Sequence, residues 1–263
     1  MSDVAPGVRV AVVTGGARGI GRAVAAELVA RGFTVVLGDL DLEVTRTTAA
    51  ALGPDVVARR LDVRDTVLLA RLVDEVEDEI GPIEVWVNNA GVMPTGRFTD
   101  QDAAAADLVV DVDYRAVVHA TRLVLPRMLA RGRGVVVQVA SATGSKPMAG
   151  LAVYSGAKAA VVGFSEALRR ELRGTGVQVS VVLPYLAATA MGAGITPQRG
   201  FRAVTAEQVG RGVMWAIERR RFAVYVPRRL GVLARVFGSL PLRVRDAVDD
   251  VIASDRIGLG AER

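Results

Sequence analysis

The sequence predicts an α/β domain built on a doubly wound parallel sheet. Three observations carry that expectation. Short β-branched runs alternate with longer amphipathic stretches from residue 8 to residue 226. The strand candidates are apolar along their whole length rather than at every second position, as strands buried on both faces are. The links are short and punctuated by Gly, Pro, Asp and Asn, with no internal repeat and no linker dividing the chain.

In order, residues 8–14 form the first strand, followed by a Gly-rich turn and an Ala/Val/Leu helix over 20–31. Residues 33–38 are the second strand, 41–52 a helix and 55–61 the third strand. Residues 65–80 carry apolar side chains at i, i+3 and i+4 and stop at Gly81-Pro82, which marks a helix and its end. Residues 83–87 are a strand, followed by two helical segments over 100–112 and 113–130. A strand over 134–140, a long helix over 153–173 and a strand over 177–183 come next. A helix over 206–219 and a last strand over 222–226 complete a single domain, residues 1–227. Residues 228–263 form a basic C-terminal extension.

The chain of 263 residues is long enough for one domain with a substantial core. Hydrophobic residues make up 51% of it, yet no uninterrupted apolar run has the length of a membrane-spanning helix. Residues 1–7 lack the basic-then-apolar pattern of a secretion signal, and a cytoplasmic location is expected. With no cysteine and one histidine, His119, the chain has neither thiolate ligands nor a multi-histidine cluster, so no metal is expected. The net charge of +5 is local in origin: eight arginines and no acidic residue lie between Arg219 and Arg245. No zinc-finger spacing, aromatic RNA-binding strand or basic N-terminal stripe accompanies it, so a nucleic-acid partner is not expected.

Thr14-Gly15-Gly16-Ala17-Arg18-Gly19-Ile20-Gly21 joins the first strand to the first helix. Gly15, Gly19 and Gly21 permit a tight turn, close backbone approach to a pyrophosphate and close helix packing, and Ile20 enters the helix behind them. The helix N-terminus then offers unpaired N–H groups to phosphates. A Gly-rich turn alone is a weak signal, but its place after the first strand points to a dinucleotide site. Asp39 ends the second strand, where a carboxylate accepts hydrogen bonds from ribose hydroxyls and repels a 2′-phosphate. That favours NAD over NADP, partly offset by Arg18, which can reach a phosphate. Asp62, with Val63 beside it, follows the third strand and reads as an anchor for the adenine edge. Asn88-Asn89-Ala90-Gly91 follows the fourth strand: the amides can tie strand ends together, and the small residues let backbone approach a cofactor.

Of 33 basic side chains only two are lysine, Lys146 and Lys158. Lys158 stands four places after Tyr154 on the long helix, and positions i and i+4 share a face. A compact ammonium beside a phenol lowers its pKa, a task for which Arg is a poor substitute. An isolated Tyr-x-x-x-Lys also fits an exposed helix lysine, so its meaning rests on the remaining motifs.

Taken together, the turn at residues 14–21, Asp62, residues 88–91, Ser141, Tyr154, Lys158, Pro184 and Thr189 resemble the short-chain dehydrogenase/reductase family over residues 8–226. The resemblance implies a single Rossmann domain, and hydride exchange between an alcohol and a nicotinamide cofactor. It implies Tyr154 as general acid/base, Lys158 as its electrostatic partner and nicotinamide-ribose ligand, and Ser141 as hydrogen-bond donor to the substrate oxygen. Pro184 and Thr189 match the cofactor-binding segment after the sixth strand. It also implies a homodimer or homotetramer, assembled through the helices over 113–130 and 153–173.

Two positions depart from the family pattern. Asp113 stands where an Asn is usual; there its backbone carbonyl helps hold a water beside the lysine. A carboxylate is expected to pair with Lys158, raise its pKa and weaken its effect on Tyr154. Tyr185 replaces a Gly after Pro184 and should reshape the nicotinamide face or the substrate entrance. These departures keep open a rival reading, a catalytically weak NAD(H)-binding regulatory protein. Candidate pocket residues come from loops 92–94, 143–151 and 185–201. Met93, Met148, Leu151, Tyr185 and Met191 are foremost among them, which points to a lipophilic alcohol or ketone. Apart from Arg199 and Arg202 no Arg/Lys cluster stands there to bind a carboxylate or phosphate, and residues 192–194 read as a lid. In the extension, Leu230, Leu233, Phe237 and Leu240 form an apolar stripe among arginines. Two readings stand: an amphipathic helix packed on its own domain or a neighbouring subunit, or peripheral attachment to an anionic membrane.

Overall fold

The computed structural model describes residues 8–195, 197–198 and 200–252. The expectations for residues 1–7 and 253–263, and for Arg199, fall outside the described residues. Among the described residues seven strands run β1 (Arg9–Thr14), β2 (Phe33–Asp39), β3 (Val56–Arg60), β4 (Ile83–Asn88), β5 (Gly134–Val139), β6 (Val177–Pro184) and β7 (Ala223–Val226). They form one parallel sheet in the order β3-β2-β1-β4-β5-β6-β7. The order reverses between β1 and β4, which opens a crevice at the carboxyl ends of those strands.

Helices cover both faces. α1 (Gly19–Val29), α2 (Leu42–Leu52) and α7 (Ala206–Glu218) lie on one; α3 (Thr66–Glu79), α5 (Ala116–Arg131) and α6 (Ala152–Glu171) lie on the other. Val24, Leu28, Val209, Val213 and Met214 pack on Val35, Leu37 and Val137 in the first layer. Leu69, Val73, Val76, Val124, Met128 and Leu168 pack around the fully buried Trp86 in the second. Such two-sided burial is why the strands are apolar throughout. Asp65 caps α3 by accepting from Val67 N and Leu68 N, and Thr205 with Gln208 forms a capping box on α7.

The segments expected as helices over 100–112 and 113–130 are a single column with a fault in it. A 3₁₀ turn at Phe98–Asp100 precedes α4 (Ala103–Val110), whose cap is Asp102. A π-turn at Asp111–Arg115 then joins α4 to α5. The extra residue in that turn resets the helical phase and brings Asp113 inward, where it is fully buried. Beyond β7, α8 (Arg229–Ser239) and α9 (Leu242–Ile252) are separated at Leu240-Pro241. Gly231 lets α8 lie on β7, since a Cβ there would meet the Tyr225 ring at 2.9 Å.

Candidate active site

Two cavities adjoin at the carboxyl ends of the strands. The first, about 530 Å³, is the crevice at the strand-order reversal. Gly15, Arg18, Gly19, Ile20, Asp39, Asp62, Val63, Asn89, Ala90, Gly91, Tyr154, Lys158 and Thr189, all singled out from the sequence, line it. The second, about 370 Å³, lies beyond it; Ser141, Pro184, Met93, Met148, Leu151, Tyr185 and Met191 line this one. Tyr154, Ile20, Ala140, Thr189 and Met191 border both.

The crevice is made by close backbone approaches. Gly15 has φ +63°, and a Cβ on it would lie 2.8 Å from Ala90 Cα; Gly19 has φ +52°. Asn89 Nδ2 donates to Thr14 O and Gly15 O, both at 3.0 Å, tying the end of β4 to the turn after β1. α1 starts at Gly19 with no side chain capping it, so its first N–H groups face the crevice uncapped. An uncapped helix start behind a cradle that a Cβ would fill suits the diphosphate of a dinucleotide. Gly21 differs from the expectation: it does not line the crevice, and a Cβ there would stand 2.1 Å from Gly15 O. Its part is the packing of α1 beneath the turn.

At the outer end of the crevice the charges are arranged more tightly than expected. Asp39 Oδ2 accepts from Ala17 N at 3.0 Å. The Arg18 guanidinium, expected to reach toward a phosphate, is paired with Asp41 at 2.9 Å. Asp62, expected as a carboxylate free for an adenine edge, is clamped by Arg64, with Nη2 to Oδ2 at 2.6 Å and Nε to Oδ1 at 2.9 Å. The Arg64 guanidinium holds the Asp62 carboxyl below its usual range. Both partners lie within a few positions of residues already singled out, but nothing in spacing alone pairs them.

At the junction of the cavities stand Ser141, Tyr154, Lys158 and Asp113. α6 carries Tyr154 and Lys158 one turn apart, and the ammonium lies 5.6 Å from the centre of the phenol ring. Lys158 Nζ donates to Val139 O at 3.2 Å and faces Asp113 Oδ2 at 3.5 Å, an ion pair with both partners buried. The pairing expected of a carboxylate at 113 is therefore present. Asp113 Oδ1 accepts from Val92 N at 2.8 Å, while Oδ2 has the Lys158 ammonium at 3.5 Å and no closer donor among the described residues. Ser141 Oγ accepts from Thr143 N at 3.2 Å and from Thr143 Oγ1 at 3.0 Å. With both lone pairs occupied, its own proton is left to donate into the site.

The electrostatics oppose one another. Burial pushes the Tyr154 phenol above its ordinary value; Lys158 pulls it back, Asp113 pushes it up again, and the Ser141 hydroxyl lowers it slightly. Burial pushes the Asp113 carboxyl up, offset in part by Lys158. Burial acts to lower Lys158, but the negative charges of Asp113 and Tyr154 outweigh it and hold the ammonium above its ordinary value.

The second cavity is apolar. Leu230, Leu233, Phe237 and Leu240, read from the sequence as a stripe packed on its own domain, a neighbouring subunit or a membrane, form its far wall at α8, together with Val248 of α9; nothing in the sequence pointed to their place in the pocket. Tyr185 sits in the pocket, and its hydroxyl accepts from Gln198 N at 2.9 Å while its ring lies 5.5 Å from Phe201. The bulky side chain thus clasps the loop after β6. Lys146, the second lysine, forms an ion pair with Asp249 of α9 and sits 4.6 Å over the Phe237 ring.

A parallel sheet with this strand order, a Gly-rich turn at its crevice and a Tyr-Lys pair at the mouth define a nucleotide-dependent oxidoreductase. Residues 9–200 match the short chain dehydrogenase family, and the chain belongs to it. The chain is 36% identical to 1-deoxy-11-beta-hydroxypentalenate dehydrogenase of Streptomyces exfoliatus, over 92% of this chain and 88% of that protein. It is 38% identical to the ketoacyl reductase HetN of Nostoc sp., over 68% of this chain but only 64% of HetN. In three dimensions it resembles a short chain dehydrogenase/reductase from Burkholderia phymatum in complex with NAD. That match has a TM-score of 0.79 and 26% identity, covering 89% of this chain and 94% of that one. It also resembles a single-substitution variant of actinorhodin polyketide ketoreductase with NADPH, at TM-score 0.77 and 30% identity, over 83% and 95% of the two chains.

Proposed function

We propose that the protein is an NAD(H)-dependent oxidoreductase that interconverts a lipophilic secondary alcohol and its ketone, with Tyr154 as acid/base. The observation that carries this reading is the apolar cavity that Tyr154 and Ser141 line. Among its lining residues Lys146 is the one charged side chain, and Asp249 already pairs with it. Among the described residues no free cation of the lining therefore awaits a carboxylate or phosphate, while apolar side chains supply the binding surface.

When bound, a nicotinamide cofactor supplies the hydride acceptor or donor. The crevice glycines and the start of α1 would hold its diphosphate, Asp39 a ribose hydroxyl pair, and Lys158 the second ribose. In ketone reduction the Tyr154 phenol gives its proton to the carbonyl oxygen, and Ser141 donates a hydrogen bond to the same oxygen. Burial and Asp113 both favour the protonated phenol, the form that reduction requires. In oxidation the phenolate takes the hydroxyl proton, and the Lys158 ammonium stabilises it. The preference for NAD is supported by Asp39 at the crevice and by Asp41, which occupies the Arg18 guanidinium that would otherwise meet a 2′-phosphate.

The Asp113–Lys158 ion pair favours one further reading, a cofactor-binding protein of feeble activity. The experiment that separates the two follows NADH and NADPH oxidation with paired apolar ketones, one uncharged and one carrying a carboxylate. Turnover with NADH and the uncharged member supports the oxidoreductase reading. Tight NADH binding without turnover of either, restored by Asp113→Asn, supports the rival.

A further inference from the structure

The outward side of the C-terminal helices is apolar where a surface helix is ordinarily charged. On α8, Val232 is 63% and Val236 57% exposed, and Arg229 and Arg235 flank them. On α9, Val244, Val248 and Val251 share a face at i, i+4 and i+7, with Val251 73% exposed. At the start of α9, Leu242 is 71% exposed beside Arg243. Seven of the thirteen exposed large hydrophobic residues among the described residues fall within residues 232–251. A concentration of that kind is a patch rather than the usual scatter.

Charge adds a second, independent constraint. Residues 219–245 hold eight arginines and no acid. Arg228 lies over the Trp215 ring at 4.1 Å, and Arg245 donates to Leu240 O at 2.8 Å, so these two serve the fold. Arg229 and Arg235 are exposed around the apolar residues of α8. On α9, Asp249 pairs with Lys146, and Asp246 and Asp250 lie on the helical side opposite Val244, Val248 and Val251, the side that Arg243 shares with these two acids at i, i+3 and i+7. A third observation is the position of the cavity mouth. Leu233, Val236, Val248 and Met191 line the apolar cavity and are exposed as well, so the cavity opens at this same surface.

We propose that α8 and α9 dock on the surface of an anionic phospholipid bilayer, with the apolar cavity opening toward the acyl region. The exposed valines enter the headgroup boundary, and Arg229 and Arg235 meet lipid phosphates. The same helices wall the cavity on their inner side, so a lipid-dissolved ligand passes from membrane to pocket without crossing water. The docking itself stands independently of which ketone or alcohol is turned over.

The test is co-sedimentation of the full chain with vesicles of phosphatidylcholine alone and of phosphatidylcholine mixed with phosphatidylglycerol. Binding to the anionic vesicles is expected at low salt and should fall as salt rises. Reversing the two arginines of α8 together (Arg229→Glu, Arg235→Glu) should lower the partition coefficient by about 30-fold or more. Val232→Asp should weaken binding while leaving the charge-reversal sites intact. Equal binding to both vesicle types, or none to either, overturns the proposal, and that comparison needs no variant. Sedimentation equilibrium supplies the remaining outcome. A self-associated wild type that Val232→Asp turns into a smaller species, with no anionic-lipid binding, would assign this face to a second copy of the chain and overturn membrane docking.

Discussion

Replacing Asp113 by Asn removes one buried charge and leaves its neighbours in place. The amide oxygen of Asn can still accept from Val92 N, as Asp113 Oδ1 does at 2.8 Å. The change is therefore electrostatic before it is structural. At 3.5 Å from Lys158 Nζ, and with an effective dielectric constant of about 20, a unit charge contributes roughly 5 kcal/mol. Much of that now neutralises the ammonium in the field felt by Tyr154. The ring centre lies 5.6 Å from the ammonium, where the same formula gives about 3 kcal/mol, or about two pKa units. Asp113 also acts on the phenol directly, in the upward direction. Both effects have one sign: without the carboxylate the Tyr154 pKa falls.

The assay is kcat/KM for alcohol oxidation against pH, in wild type and Asp113→Asn. The limb reporting the phenolate should move to lower pH by about one to two units, raising the rate below that limb by about 10- to 100-fold. In the reduction direction the loss of rate at high pH should begin correspondingly earlier. A limb that stays in place would refute the reasoning, because it would mean that Asp113 is uncharged or electrically uncoupled from Tyr154. Loss of NADH binding in the variant would equally count against a purely electrostatic role.

Three further outcomes follow from the same geometry. Lys158→Met leaves Asp113 buried without its cation, so its carboxyl pKa, already raised by burial, rises further. The folded state then holds a proton that the unfolded state releases above about pH 4, so stability falls as pH climbs through the folded-state value. The variant's melting temperature should drop from pH 5 to pH 8 by more than wild type does; equal drops would contradict the burial argument. Asp39→Ala should raise the ratio of NADPH to NADH use by about tenfold, measured as kcat/KM for each nucleotide, since the repelling carboxylate is gone. Phe237→Ala should raise the ketone KM by about tenfold and change kcat little, because the α8 wall contributes binding shared by ground and transition states.

The alternation of short apolar runs and helices made the sheet and its flanking layers readable from sequence, to within a few residues at most ends. The Gly81-Pro82 stop and the Asp65 cap are local signals, and local signals survive folding unchanged. The crevice residues were legible because the Gly-rich turn stands directly after the first strand and the amide segment directly after the fourth, the two strands between which the order reverses. What stayed hidden depends on contacts distant in sequence. Lys146 and Asp249 are 103 positions apart, and Arg18 reaches Asp41 across 23. The apolar stripe at Leu230, Leu233 and Phe237 was visible as a stripe, but periodicity cannot say what lies opposite it. The boundary drawn between residues 112 and 113 falls inside the π-turn, but helical periodicity on either side cannot show the extra residue that carries Asp113 inward.

In the proposed function Tyr154 moves the proton of an NAD(H)-dependent reaction. The most direct test of that role is NADH oxidation by wild type and Tyr154→Phe with an uncharged apolar ketone, at concentrations giving equal NADH occupancy. Phe keeps the ring and its packing but has no proton to give, so kcat should fall by about 10²- to 10⁴-fold while NADH affinity stays within a few-fold. Equal turnover in the two proteins would contradict the account, whatever the cofactor affinities.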